Sequence, residues 1–228
     1  MALLSKISHV LTADITKDFK LKKKDIEVSE EQTFVDQLKK RRSIYDLGKR
    51  VHFSQAYIAE LIQESVRSCP SAYHSQSTRI VVLFGESHQQ FWNIVREVER
   101  RNVPISVFEG VEMKIAKCAN AFGTVLFYED QSVIQQLQKK VPFSANDFPV
   151  WSEQTSGMAQ FAVWTALADL GVGASLQHYN PMIDQAVNQH FDIDSDWLMR
   201  AQLVFGSIEG SIPEKEERED QDSFRIYA

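Results

Sequence analysis

Apolar residues return along this chain at two spacings, and the spacing predicts the elements. From Thr33 the period is helical: Phe34, Val35 and Leu38 share a face, and the basic run at 39–42 sits where it offsets a helix C-terminal dipole. A second helix is better marked. Ser54 serves as N-cap, Ile58, Leu61, Ile62 and Val66 form one stripe, and Cys69-Pro70 ends the pattern because proline restricts the residue before it. Residues 80–84 are an unbroken, β-branched-rich run closed by Gly85, which predicts a central strand covered on both faces. Phe91, Ile94, Val95 and Val98 then give a helical stripe, 124–128 a second apolar run, and Val133, Ile134 and Leu137 another stripe. Residues 152–170 are apolar nearly all round, which predicts a buried central helix ended by Gly171. Asn180-Pro181 pairs an N-cap with an N1 proline ahead of Ile183, Ala186 and Val187, and 198–205 reads as a last strand. Residues 1–32 read as an appendage, an extra helix with a solvated linker over 22–32, and the acidic tail after Gly210 is too polar to form core.

Composition places this pattern in an ordinary folded soluble domain, 43 % hydrophobic and 25 % charged. One principal domain over 33–228 follows. A net charge of −6 excludes a dedicated nucleic-acid binder, whose phosphate affinity is built from clustered excess Lys and Arg. No apolar run approaches the ~18 residues that span a bilayer. The amino terminus reaches Lys6 and His9 almost at once, so no leader is expected. Two cysteines, Cys69 and Cys118, without C-x-x-C spacing fit a reducing compartment and a cytoplasmic protein.

Several familiar chemistries are absent. Asp192, Asp194 and Asp196 mimic the start of a calcium loop, but Trp197 and Leu203 stand where Gly and Glu are required. The six histidines show no metal-ligand spacing, and no G-x-S-x-G or nucleophilic cysteine setting exists. Residues 170–179 carry two glycines but follow a helix and lack the G-x-G-x-x-G spacing, so they are no dinucleotide fingerprint. Two polar clusters admit two readings each. Lys39-Lys-Arg-Arg-Ser43 is either a phosphate clamp or a solvated basic helix end, and the stretch 68–78 is either a ligand loop or simply a loop.

The order of five segments resembles the FMN-dependent nitroreductase family, in its branch of nitroreductase-like proteins from bacteria and fungi. They are Arg41-Arg-Ser-Ile-Tyr45, Cys69-Pro-Ser-Ala-Tyr-His-Ser-Gln76, Phe122-Gly-Thr-Val-Leu-Phe-Tyr-Glu-Asp130, Trp151-Ser-Glu-Gln-Thr-Ser-Gly-Met-Ala-Gln160 and Gly173-Ala-Ser-Leu-Gln-His-Tyr-Asn-Pro181. The resemblance covers 33–205 and implies an α+β fold, a mixed sheet flanked by helices in an intertwined homodimer with FMN at the subunit interface. It implies that Arg41, Arg42 and Ser43 hold the phosphate and ribityl chain, that Tyr45, His74 and Gln76 lie at the flavin ring, that Gln177, His178 and Tyr179 form the loop facing N5, and that Lys215 and Arg218 complete the phosphate site.

Three departures stand out. His74 replaces the family's usual asparagine, Tyr45 occupies a slot that is basic in many members, and Glu217 interrupts the final basic pair. The implied activity is NAD(P)H-dependent reduction of nitroaromatic or quinone-like acceptors by ping-pong turnover, with the chemistry carried by the cofactor and no catalytic side chain or metal. The competing reading is a flavin-binding or flavin-less regulatory or stress-response protein of the same fold with little turnover, which His74 and Tyr45 keep open.

Overall fold

The computed structural model describes residues 33–212, 214 and 223–227. The helix expected within 1–32 and the residues Lys215 and Arg218 lie outside them. Seven α-helices and five strands follow in order among the described residues: α1 (Phe34–Lys40), β1 (Leu47–Gly48), α2 (Gln55–Arg67), β2 (Thr78–Phe84), α3 (Gly85–Asn102), α4 (Ile105–Ala119), β3 (Gly123–Asp130), α5 (Gln131–Lys140), α6 (Phe148–Asp169), β4 (Gly173–Gln177), α7 (Asp184–Phe191) and β5 (Trp197–Ile208).

The sheet is built around β3 and β5. β3 pairs antiparallel with β2 on one side and β5 on the other, and β5 also takes β1 and β4. All of these pairings are antiparallel, and the parallel component of the mixed sheet is the bridge between Ser43 and Ala174. β3 alternates as a strand between two layers must. Val125 and Phe127 face a core with Ala201, Leu203, Phe205 and helices α2 and α6, while Leu126 and Tyr128 face one with Val204, Met199 and helices α3, α4 and α7.

Local signals form the helices as expected in most places. The Ser54 hydroxyl accepts the Tyr57 N–H at 3.2 Å to cap α2, whose Ile58 and Ile62 are fully buried against the sheet. Gly171, at φ 73°, follows α6 in a left-handed conformation that only glycine adopts without strain.

Four expectations change. The strand at 80–84 is not central, since among the described residues β2 has β3 as its one partner strand. Its apolar run records cover on both faces, with Val81 packed in one core and Ile80 and Val82 in the other, and burial does not count hydrogen-bonding neighbours. α6 buries one stripe, including Ser152, Ala159, Val163 and Leu167, and leaves Val150, Met158 and Phe161 exposed in the single chain. α7 begins at Asp184 and not at Pro181, because the Asn180 side chain is spent on β5: its Oδ1 accepts from Gln202 Nε2 at 2.9 Å, and its Nδ2 donates to the Met199 carbonyl at 3.3 Å. Residues 173–177 form strand β4, where a side chain on Gly173 would meet Ile208 and Leu47 at 2.8 Å.

Candidate functional site

The segment after α1 runs beside β4. Ile44 N–H donates to the Ala174 carbonyl at 2.9 Å and the Ile44 side chain is buried, so Ser43 and Ile44 are held alongside Ala174. This brings Tyr45 into a cavity of about 690 Å³ with Ser175 and Gln177 of β4 and Val204 of β5. Helix α4, which the sequence pattern did not reveal, lines the same cavity with Gly110, Met113, Lys114, Lys117 and Cys118. Lys114 and Lys117 lie three residues apart and therefore on one side of the helix. Among the described residues no carboxylate lines this cavity, and the fixed charges they place there are positive in a chain whose net charge is −6. Burial pushes the Cys118 thiol up to about 12, so it is a neutral wall group and no nucleophile at physiological pH. The Gln177 amide donates to Ser175 Oγ at 3.2 Å, which orients the two polar groups of β4 together.

The other residues singled out from the sequence fall at several places. The Arg41 guanidinium lies 4.5 Å from the centroid of the Trp164 ring and 6.0 Å from that of Phe161, held by α6. Arg42 and Ser43 are half-buried, and His178 is exposed just beyond β4. Tyr179 turns inward: its ring meets Trp92 edge-on at 5.7 Å and its N–H donates to Gln202 Oε1 at 2.9 Å. His74 and Gln76 belong to a turn at the other end of α6, where Tyr73 stacks on Trp151 at 5.8 Å. Trp151 and Trp164 are 13 residues apart on one helix, or about 20 Å along its axis. One chain therefore brings Tyr45, Ser43 and Gln177 together and keeps His74 and Gln76 well away from Arg41.

The turn carrying His74 and Gln76 is unusual. Tyr73, His74 and Gln76 have φ of 52°, 52° and 48°, a left-handed conformation that non-glycine residues hold only where the surroundings impose it. Beneath it lies a buried acid pair at the end of β3. Glu129 is fully buried and its carboxylate accepts from Ser77 Oγ at 2.5 Å, Thr78 Oγ1 at 2.6 Å and Ser152 Oγ at 2.9 Å. Burial raises the neighbouring Asp130 carboxyl, but hydrogen bonds from Ser132 and Val133 and the Arg79 charge outweigh it and hold the group below its usual range.

A second buried polar group sits at the start of α3. Trp92 Nε1–H donates to Thr124 Oγ1 at 3.0 Å, Thr124 lies 2.9 Å from His88 Nδ1, and His88 Nε2 lies 3.2 Å from the Ala119 carbonyl. The carbonyl can only accept, so Nε2 carries the proton and Nδ1 accepts from the threonine hydroxyl. Burial pushes this imidazole down to about 4, and it is a neutral structural joint between α3, α4 and β3.

Comparison with known proteins agrees with this architecture. The sequence profile of the nitroreductase family matches residues 38–207. HBN1 of Saccharomyces cerevisiae is 34 % identical over 177 residues, 77 % of this chain and 88 % of that protein. The nitroreductase CinD from Lactococcus lactis, solved with nicotinic acid, is 42 % identical with a TM-score of 0.80 over 86 % of this chain and all of CinD, and it has also been solved with chloramphenicol and with 4-nitrophenol. A Desulfovibrio desulfuricans protein solved with FMN shares the fold at 16 % identity, with a TM-score of 0.64 over 86 % of this chain and 98 % of its own. With the profile covering most of its length and a relative this similar across nearly a whole protein, the chain belongs to the nitroreductase family.

Proposed function

We propose that this protein is a homodimeric, cytoplasmic FMN-dependent oxidoreductase that transfers hydride from NADH or NADPH to nitroaromatic or quinone-like acceptors. The carrying observation is the cavity of about 690 Å³ that joins Tyr45 and Gln177 to Lys114 and Lys117 with no carboxylate among its described lining residues. Its volume lies within the range of about 300–1,000 Å³ typical of cofactor and drug-sized pockets. Its donors are cations, a hydroxyl, a phenol and an amide, a set that fits an anionic, planar, hydrogen-bonding cofactor. Bound FMN supplies a hydride acceptor and donor at N5 through its own ring chemistry.

The chain's residues bind and orient. Arg41, Arg42 and Ser43 hold the phosphate and ribityl chain, with Lys215 and Arg218 completing that site, and Tyr45 with the 177–179 loop borders the ring. Lys114 and Lys117 supply positive charge that stabilises a reduced, anionic ring. The distance of His74 and Gln76 from Arg41 supports a site shared by two copies, each contributing one end of α6. Residues 1–32 are an appendage to this unit. The aromatic ligands of CinD support a flat acceptor slot, used in turn by nicotinamide and acceptor.

The test is an anaerobic visible spectrum of the purified protein, incubated with FMN, before and after NADH. A flavin spectrum that bleaches is expected, followed by parallel initial-rate lines when NADH and a nitroaromatic are varied together. No flavin spectrum after incubation with FMN would overturn the reading and favour a flavin-less regulatory protein, and converging lines would overturn the shared slot.

A further inference from the structure

The turn carrying His74 and Gln76 needs something to hold three non-glycine residues in the left-handed region. Its entry and exit are accounted for. Ser71 accepts the Gln76 N–H at its Oγ (3.0 Å) and the His74 N–H at its carbonyl (3.0 Å). Ser77 and Thr78 are tied to β3 through the Glu129 carboxylate, and the Ser77 carbonyl accepts the Asp130 N–H at 2.9 Å. In between, the Tyr73 ring packs on Phe148 and Trp151 of α6, and the Gln76 carbonyl is met by a side chain from the sheet. Arg79 Nη1 donates to the Gln76 carbonyl at 2.7 Å, and its Nη2 donates to Asp130 Oδ2 at 2.9 Å. Asp130 is itself fixed, because its Oδ1 accepts from Ser132 N–H at 3.0 Å and Ser132 Oγ at 2.6 Å as the N-cap of α5.

We propose that Arg79 is the positioning residue of the flavin-facing turn, its guanidinium clamping the Gln76 carbonyl to the Asp130 carboxylate and so fixing where His74 and Gln76 point. A guanidinium can do this because its forked donors address two acceptors at once, whereas an ammonium offers no such planar fork. The carboxylate at 130 is required as a charge as well as a cap, since without it the guanidinium has no fixed partner on β3. The inference rests on the proposed reading that His74 and Gln76 meet FMN, and adds that the turn is preorganised from behind by a residue that touches no ligand.

The experiment compares wild type, Arg79→Met, Arg79→Lys and Asp130→Asn as full-length proteins, with two readouts. Asparagine is a good N-cap, so Asp130→Asn removes the charge and keeps α5 capped, which provides a folded variant should Arg79→Met unfold. The first readout is amide hydrogen exchange without cofactor. Residues 71–78 should exchange at least tenfold faster in Arg79→Met and Asp130→Asn, with β3 and α2 unchanged. The second is FMN titration by flavin fluorescence. The Kd should rise at least tenfold in Arg79→Met, less in Asp130→Asn, with part of the loss recovered in Arg79→Lys. Unchanged exchange over 71–78 overturns the clamp. Faster exchange with a Kd within twofold of wild type overturns its role in positioning the flavin-facing residues. Wild type that binds no FMN overturns the proposed function instead, and the exchange comparison still decides whether Arg79 sets the turn.

Discussion

Lys114 and Lys117 place two positive charges on the wall of the cavity, and neither belongs to a motif that sequence patterning could single out. Both are exposed in the single chain, so each charge contributes on the order of 0.2–1 kcal/mol to binding an anion. Lys114→Gln with Lys117→Gln should therefore weaken FMN binding by about fivefold at low ionic strength, and by less at high salt. Fluorescence titration at two salt concentrations checks this, and equal affinities would remove the lysines from the site. His88 belongs to the same scale. The unfolded chain protonates it near 6.5 and the folded chain near 4, so the unfolded state holds more protons between those values, and stability present above 6.5 falls as the pH drops toward 4. At pH 5 this costs about 2 kcal/mol. His88→Gln removes the titration, so thermal melts from pH 7 to pH 5 should show wild type losing more stability than the variant.

The helices are where local signals succeed or fail for identifiable reasons. α2 is readable because its cap, stripe and terminating proline all lie within its own sequence, and the Ser54 cap forms as expected. α4 is not. Its buried residues are Ile115, Cys118 and Ala119, all in its last turns, while Ile105 is 94 % exposed, so no apolar stripe marks its length. β4 escaped for the opposite reason, since Gly173-Ala-Ser175 has too little side chain to signal a strand and is chosen for close approach to β1 and β5. α6 packs against β2, β3, β4 and β5 and against α1, α2 and α5, so its inner stripe carries much of the fold. Leu167→Ala at its fully buried end should cost about 2–5 kcal/mol, measured by denaturant unfolding, and a loss below 1 kcal/mol would mean that the core at this point collapses around the truncation.

At the scale of the whole molecule, α6 leaves apolar side chains partly exposed among the described residues. Met158 and Phe161 are 40 % and 43 % exposed on α6, the helix that also separates the Arg41 region from the turn with His74. If two copies complete the site across this helix, Met158→Lys should convert a dimer of the 26.1 kDa chain into a monomer and abolish FMN retention together. Sedimentation and the visible spectrum of one preparation report both, and loss of the dimer with FMN retained would show that one chain suffices.

The sequence alone determined the helical stripes, the Ser54 cap, the apolar runs of β2, β3 and β5, and the segments that place the chain in its family. These are legible because each is written in the spacing of a few adjacent residues. The tertiary structure decided the rest. The order of strands is set by backbone hydrogen bonds that side-chain pattern does not encode, which is why β2 lies at the edge. The use of Asn180 to bridge β5, the arrival of two lysines on the cavity that Tyr45 lines, and the contact from Arg79 to Gln76 each join residues distant in sequence or turned by a special backbone conformation. The basic run ending in Arg41-Arg-Ser43 was visible as charge in the sequence, and packing against Trp164 and β4 decided where those groups sit.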